Sequence, residues 1–216
     1  MADLKQRVKQ FQDKVYPGHK SLFEKLRDGQ APEILLITCS DSRIAPHMIT
    51  SSGPGEIFVI RNAGNVVTPC DGECTGEAAT IEYAVSALGV KHIVICGHSG
   101  CGAMDALSKG PDACGLPVVA DWLRVIERGF SQSGFDTSKA AGLDELIKMN
   151  VLVQLAMLRK HPAVASALTS GNVELHGWVY DIGSGVIHAC DADGNFAPLT
   201  NDGDSQDAAS GTVASA

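Results

Sequence analysis

Positive charge is the first thing this chain is short of. Against 25 Asp and Glu it carries 17 Lys and Arg, a formal net charge of -8. No dense basic cluster offsets that balance, so a nucleic-acid partner is not expected, because phosphates would be repelled. Apolar runs are short, and none approaches the length of a membrane span. The opening Met-Ala-Asp-Leu-Lys-Gln does not read as a signal peptide, and the expectation is a cytoplasmic, reducing setting with no membrane partner. Aromatics make up only 5% of the chain. Aliphatic residues and alanine fill the gap and point to an α/β protein, and no internal repeat is visible. The cysteine count, 7, is odd, which argues against a disulfide framework and for metal chemistry. Cys96 reads as a small core residue. Cys114 and Cys190 have no chemically suggestive neighbours. Cys70 and Cys74 could clip a second metal or form a redox pair, two loop thiols being the simpler reading.

What is present is concentrated in two places. The apolar run Ile34-Leu35-Leu36-Ile37 ends in Cys39-Ser-Asp41-Ser-Arg43, and a second run, Ile93-Val94-Ile95-Cys96, opens into Gly97-His98-Ser-Gly-Cys101-Gly102. Two buried strands in one sheet can deliver such ends to a common crevice at their carboxyl edge, where α/β sheets place ligands. Cys39, His98 and Cys101 would then meet as two thiolates and an imidazole. That is a Zn2+ set with three protein ligands and one open position, the pattern of a catalytic zinc. Asp41 is the one residue placed to close it. Either Asp41 stands beside a metal-bound water, or it takes the fourth position and the site is structural. In the open reading Arg43 offers a two-pronged guanidinium to hold the Asp41 carboxylate off the metal. A helix beginning at Gly102 would turn its free amides toward the thiolates and lower their pKa.

These two motifs, in this order, resemble those of the β-class carbonic anhydrases, Cys-x-Asp-x-Arg followed by His-x-x-Cys. The similarity extends through Gly55-Glu-Ile-Phe-Val-Ile-Arg61-Asn62-Ala-Gly-Asn65 and Ile81-Glu-Tyr83-Ala-Val, and returns weakly at His176-Gly-Trp178-Val-Tyr180. The resemblance implies reversible hydration of carbon dioxide to bicarbonate and a proton, with Asp41 and Arg43 catalytic. It also implies a substrate pocket from Gln30, Phe58, Tyr83 and the Gly102 amide, completed by a second subunit. Read from their own neighbourhoods, Phe58 is core, Tyr83 a helix face and Gln30 a turn. A carbon disulfide or carbonyl sulfide hydrolase on the same scaffold, and a non-catalytic zinc protein, remain as alternatives. Some members of the family bind bicarbonate at a second, regulatory site built from a tryptophan, an arginine and a tyrosine. Here the arginine corresponds to Arg61 and the tyrosine to Tyr180, but Leu36 stands at the tryptophan position, so the open, unlocked subtype is expected.

The remaining chain fits a mainly parallel central sheet of four to five strands flanked by helices. Leu4, Val8, Phe11 and Val15 form a narrow apolar stripe on a first helix. Periodicity allows that stripe to pack on its own domain or on a neighbour; the resemblance favours a neighbour, hence a homodimer or higher even oligomer. Pro17-Gly18 predicts a turn before a second helix, so residues 1–28 make a helical arm. Strands are expected over 33–38, 56–60 and 92–96, helices over 76–88, 118–128, 143–160 and 162–168, and a terminal hairpin over 173–190. Residues 1–200 read as one α/β zinc-enzyme domain and 201–216 as a disordered tail, too polar and small-residued to pack.

Overall fold

The computed structural model describes residues 1–70 and 75–199; Cys74 and the expected tail at 201–216 lie outside the described residues. The chain starts with α1 (Ala2–Gln10), a π-helical turn (Phe11–Val15) and α2 (Tyr16–Leu26). It continues through β1 (Ile34–Cys39), α3 (Pro46–Ile49), β2 (Ile57–Asn62) and α4 (Gly76–Glu82), the last running on into a second π-helical turn (Tyr83–Leu88). Then come β3 (His92–His98), α5 (Gly102–Lys109), α6 (Pro117–Gln132), α7 (Leu143–Lys160) and α8 (Pro162–Thr169). The last elements are β4 (Glu174–Tyr180), β5 (Ile187–Cys190) and β6 (Phe196–Pro198).

Among the described residues the sheet has six strands in the order β2-β1-β3-β4-β5-β6, rather than four to five. β2, β1, β3 and β4 run parallel, and β5 and β6 are antiparallel additions. Both strands of the terminal hairpin join the sheet. The extra strand β6 is only 3 residues long and ends in Pro198. It carries no alternation to read from sequence, and proline is tolerated there because the strand is an edge. The break expected at Pro17-Gly18 is absent. Proline lacks an N–H and its ring crowds the carbonyl four residues back, which ordinarily ends a helix. Here the preceding turn is widened, with the Tyr16 N–H donating to the Phe11 carbonyl. A π-type turn of this kind lets the arm pass the proline as one helical rod.

The strands are apolar on both faces, as expected of parallel strands buried from two sides. Leu35, Ile37, Ile93 and Ile95 face the helices and share a core with Leu123, Ile126, Ile147, Val151 and Leu158. Leu36, Ile57, Val94 and Cys96 form a smaller cluster with Trp178 and Tyr180. Helix α7 lies hard against β3 and β4. A Cβ on Gly177 would come within 2.9 Å of the Leu155 and Val151 side chains, so glycine sets that approach. The arm is different. Leu4, Val8, Phe11 and Val15 stay 59%, 49%, 44% and 43% exposed, so the stripe is not packed on its own domain. No helix among the described residues is long and apolar enough to cross a membrane.

Candidate metal centre

Strand register creates the site. β1 and β3 are adjacent and parallel, with Thr38 opposite Cys96, so their carboxyl ends finish side by side. The Thr38 hydroxyl donates to the Cys96 carbonyl at 2.9 Å and ties the two ends together. Cys39 and His98 are the last residues of their strands, and Cys101 is the residue from which α5 starts. Between them Gly100 has φ +63°, a left-handed conformation that costs glycine little and turns the chain from strand to helix. One ligand atom from each of Cys39, His98 and Cys101 lies within 4.8 Å of the other two, and all three residues are buried.

The donor chemistry fits a cation. His98 is 0% exposed, and its Nδ1 sits 3.0 Å from the Ser99 carbonyl. A proton on Nδ1 makes that hydrogen bond and leaves Nε2 as a lone pair, the tautomer a metal ligand needs. Among the described residues Nε2 has no hydrogen-bond partner. A buried, unpaired imidazole nitrogen is costly unless something binds it. The two sulfurs titrate as a pair. A hydrogen bond from Cys101 holds the Cys39 thiol down at about 4 against the opposing effect of burial. The same hydrogen bond, together with burial, drives Cys101 far up. One proton is therefore shared between two sulfurs, and a divalent ion would displace it and take both as thiolates. For His98, burial opposes protonation, yet Cys39, the Ser99 carbonyl and Asp41 together outweigh it and move the imidazole up. The pocket is short of positive charge.

The loop after β2 supplies further support. The Gly64 amide donates to Cys39 Sγ at 3.4 Å. That loop is held by a buried chain of amides: Asn150 Nδ2 donates to the Gly64 carbonyl at 3.0 Å, Gln154 Nε2 to Asn150 Oδ1 at 2.9 Å, and the Val67 amide to Gln154 Oε1 at 2.8 Å. Trp122 Nε1 donates to the Ala63 carbonyl at 2.8 Å. Sequence reading missed Asn150, Gln154 and Trp122. The available signal was two amides four residues apart on the apolar face of the 143–160 helix, a placement that buried polar groups take only when paired.

Asp41 and Arg43 sit at the mouth. Arg43 Nε donates to Asp41 Oδ1 at 3.0 Å and Nη2 to Oδ2 at 2.7 Å, while the Arg43 amide also reaches Oδ1 at 2.9 Å. Hydrogen bonding by Arg43 holds the Asp41 carboxyl well below the usual aspartate range. The same guanidinium donates to the Gly100 carbonyl at 3.1 Å, joining the first motif to the second. Asp41 Oδ2 is 4.0 Å from His98 Nε2, near the three donors with both oxygens taken by Arg43. Arg61 reaches into the same turn, donating from Nε to the Cys39 carbonyl at 3.1 Å and from Nη2 to the Asp41 carbonyl at 2.8 Å.

Phe58 and Tyr83 touch, with ring centroids 6.1 Å apart, and Tyr83 is 51% exposed. Gly102 begins α5. Gln30 lies exposed between α2 and β1 and takes part in none of the hydrogen bonds of the metal centre. Cys96 is buried and pushed up to about 12 by that burial, the behaviour of an inert core thiol. Cys70 is exposed, and its pairing with Cys74 falls outside the described residues.

Residues 34–187 match the family model described as carbonic anhydrase. A carbonic anhydrase of Pseudomonas aeruginosa is 49% identical over 193 residues, covering 88% of each chain. Among solved structures, the β-carbonic anhydrase CcaA superposes with a TM-score of 0.86 at 39% identity, covering 94% of this chain and 93% of that one. A tetrameric β-carbonic anhydrase structure from Sordaria macrospora gives a TM-score of 0.64 at 33% identity, covering 87% of this chain and 92% of that one.

Proposed function

The chain belongs to the β-class carbonic anhydrases, and on that premise we propose that it hydrates carbon dioxide reversibly at a zinc ion held by Cys39, His98 and Cys101. The observation that carries this reading is the convergence of three buried donors with a carboxylate held beside them by Arg43. Zinc, when bound, supplies the Lewis acidity that makes water a nucleophile at neutral pH. Cys39 and Cys101 bring two negative charges, which cancel the formal charge of the ion and leave water activation in need of help from the protein. Asp41 gives that help. It stays ionised, accepts a hydrogen bond from the reacting water and aims the oxygen lone pair at the substrate carbon. Arg43 keeps both carboxylate oxygens occupied, and so holds Asp41 out of the fourth ligand position.

Carbon dioxide is small and apolar, so its pocket needs apolar walls and a donor or two. Phe58 and Tyr83 form the wall in this reading, and the Gly102 amide and Gln30 side chain are the donors. Tyr83 stands open to the outside of the single chain, which suits a pocket finished by a second subunit. The uncovered stripe of Leu4, Val8, Phe11 and Val15 supports the same homodimer or higher even oligomer, with each arm on its neighbour. Among the described residues Cys39, Cys96, Cys101, Cys114 and Cys190 form no disulfide with one another, which suits a cytoplasmic, reducing location. The comparisons favour neither a hydrolase of carbon disulfide or carbonyl sulfide nor a non-catalytic zinc protein. Stopped-flow carbon dioxide hydration, run alongside zinc analysis, tests the proposal. Turnover that follows zinc content is expected, and a zinc-replete protein with no hydration activity would overturn it.

A further inference from the structure

A second group of donors stands at the other end of the sheet. His92 begins β3 and Glu174 begins β4, and the two are register partners. His176 lies two residues beyond Glu174, on the same face of β4. His92 Nδ1 and His176 Nε2 face each other at 3.2 Å. Glu174 Oε2 lies 3.6 Å from His92 Nδ1 and 3.9 Å from His176 Nε2. These three ligand atoms all fall within 4.8 Å of one another, as those of the Cys39 centre do. The six residue-to-residue steps from His92 to His98 put the two centres roughly 20 Å apart at the rise of a strand.

We propose that His92, Glu174 and His176 form a second binding site for a divalent transition-metal ion of the zinc class, separate from the catalytic centre. Two imidazoles and a carboxylate are ligands that zinc accepts, and they also suit copper and nickel. In a tetrahedral site with metal–nitrogen bonds of about 2.0–2.1 Å, neighbouring ligand atoms stand about 3.3 Å apart. The nitrogen pair already has that separation. The carboxylate oxygen is a few tenths of an ångström too far, and the Glu174 side chain, 72% exposed, is free to close the gap by rotating.

The backbone that presents these donors is fixed. The His92 amide donates to the Glu33 carbonyl at 3.1 Å, and the Glu174 amide to the Lys91 carbonyl at 2.9 Å. Without an ion, one imidazole must donate to the other, an arrangement that satisfies both nitrogens but gives Glu174 no role. Burial and the neighbouring His92 move His176 down from its ordinary value. An ion here would staple the first residues of β3 to those of β4. It would sit too far from Asp41 to touch the reaction.

Cobalt titration of the metal-free full-length protein distinguishes the two centres. Cobalt bound by thiolates shows sulfur-to-metal charge transfer in the near ultraviolet, and cobalt held by imidazole and carboxylate shows only visible ligand-field bands. The expected result is two equivalents per chain. The second should have no charge-transfer band and should be lost in His176→Gln, with carbon dioxide hydration unchanged. Glu174→Gln, which alters only an exposed side chain, should weaken the same equivalent and so guards against misfolding of the histidine variant. A single equivalent in the unsubstituted protein overturns the proposal, as does a second that survives His176→Gln or needs millimolar metal. Loss of the charge-transfer band with the second equivalent intact would instead count against the Cys39 centre alone.

Discussion

At the scale of single residues, the two motifs were legible because each side chain has one chemical reason to be where it is. Cys39, His98 and Cys101 could be picked as donors from residue type and strand position, and the structure brings them together. Cys39→Ser should abolish zinc binding, since a serine hydroxyl does not ionise at neutral pH and cannot replace a thiolate. Elemental analysis that found full zinc in that variant would remove Cys39 from the ligand set. Asp41→Asn should keep zinc and lose most turnover, because the amide presents an N–H where the carboxylate accepts a hydrogen bond. Parallel loss of zinc and activity would mean that Asp41 is itself a ligand. What the sequence could not show is how completely Arg43 occupies Asp41, with three hydrogen bonds from one residue. Since Arg43 depresses the Asp41 pKa in the fold, the pair's contribution is fully present above the ordinary aspartate value of about 3.9. It fades only as pH falls through the lower, folded value.

At the scale of elements, strands and helices followed from apolar periodicity to within a few residues, whereas features that depend on tertiary contact did not. The Pro17-Gly18 turn is the clearest case. Local chemistry favours a break there, and a widened turn at Phe11–Val15 absorbs the proline instead. β6 escaped because three residues, Phe196–Pro198, have no period. Helix α7 hid its most informative residues in plain sight, since Asn150 and Gln154 interrupt an otherwise apolar face. Asn150→Ala should leave the Gly64 carbonyl and the Gln154 amide without partners in a buried place, a cost of about 1–3 kcal/mol. Urea unfolding checks this, and a stability unchanged from the parent would show that the amide chain does not anchor the loop. The arm gives a second test at this scale. Removing residues 1–16 takes away the exposed stripe, and light scattering should then show a smaller assembly or calorimetry a lower melting temperature. An unchanged mass and an unchanged melting temperature would show that the stripe does not hold subunits together.

At the scale of the whole molecule, the sheet is a device for bringing distant segments to one edge, and the same device decides whether that edge can be switched. The family resemblance implies a lock in members with a regulatory bicarbonate site, where filling it breaks the aspartate–arginine pair and lets the aspartate close onto zinc. Three features of this chain oppose that switch. Leu36, at the tryptophan position, is buried in an apolar cluster with Ile57, Val94 and Cys96, and its side chain has no N–H to offer an anion. Arg61, the arginine such a site would need, already donates to the Cys39 and Asp41 carbonyls. Freeing it would strip two backbone acceptors of their partner in the turn that carries Cys39. Asp41 in turn is fixed by Arg43, and Arg43 is tied to Gly100 at the start of the second motif. A bicarbonate ion entering here would face apolar surface and a lost donor, a penalty on the order of 1–3 kcal/mol. Hydration activity should therefore fall smoothly with acidity as one group titrates, and bicarbonate should not inhibit cooperatively across subunits. Stopped-flow rates measured against pH and bicarbonate decide the matter. A steep, cooperative loss of rate below mildly alkaline pH, or Asp41 found bound to zinc at neutral pH, would show that the molecule does lock.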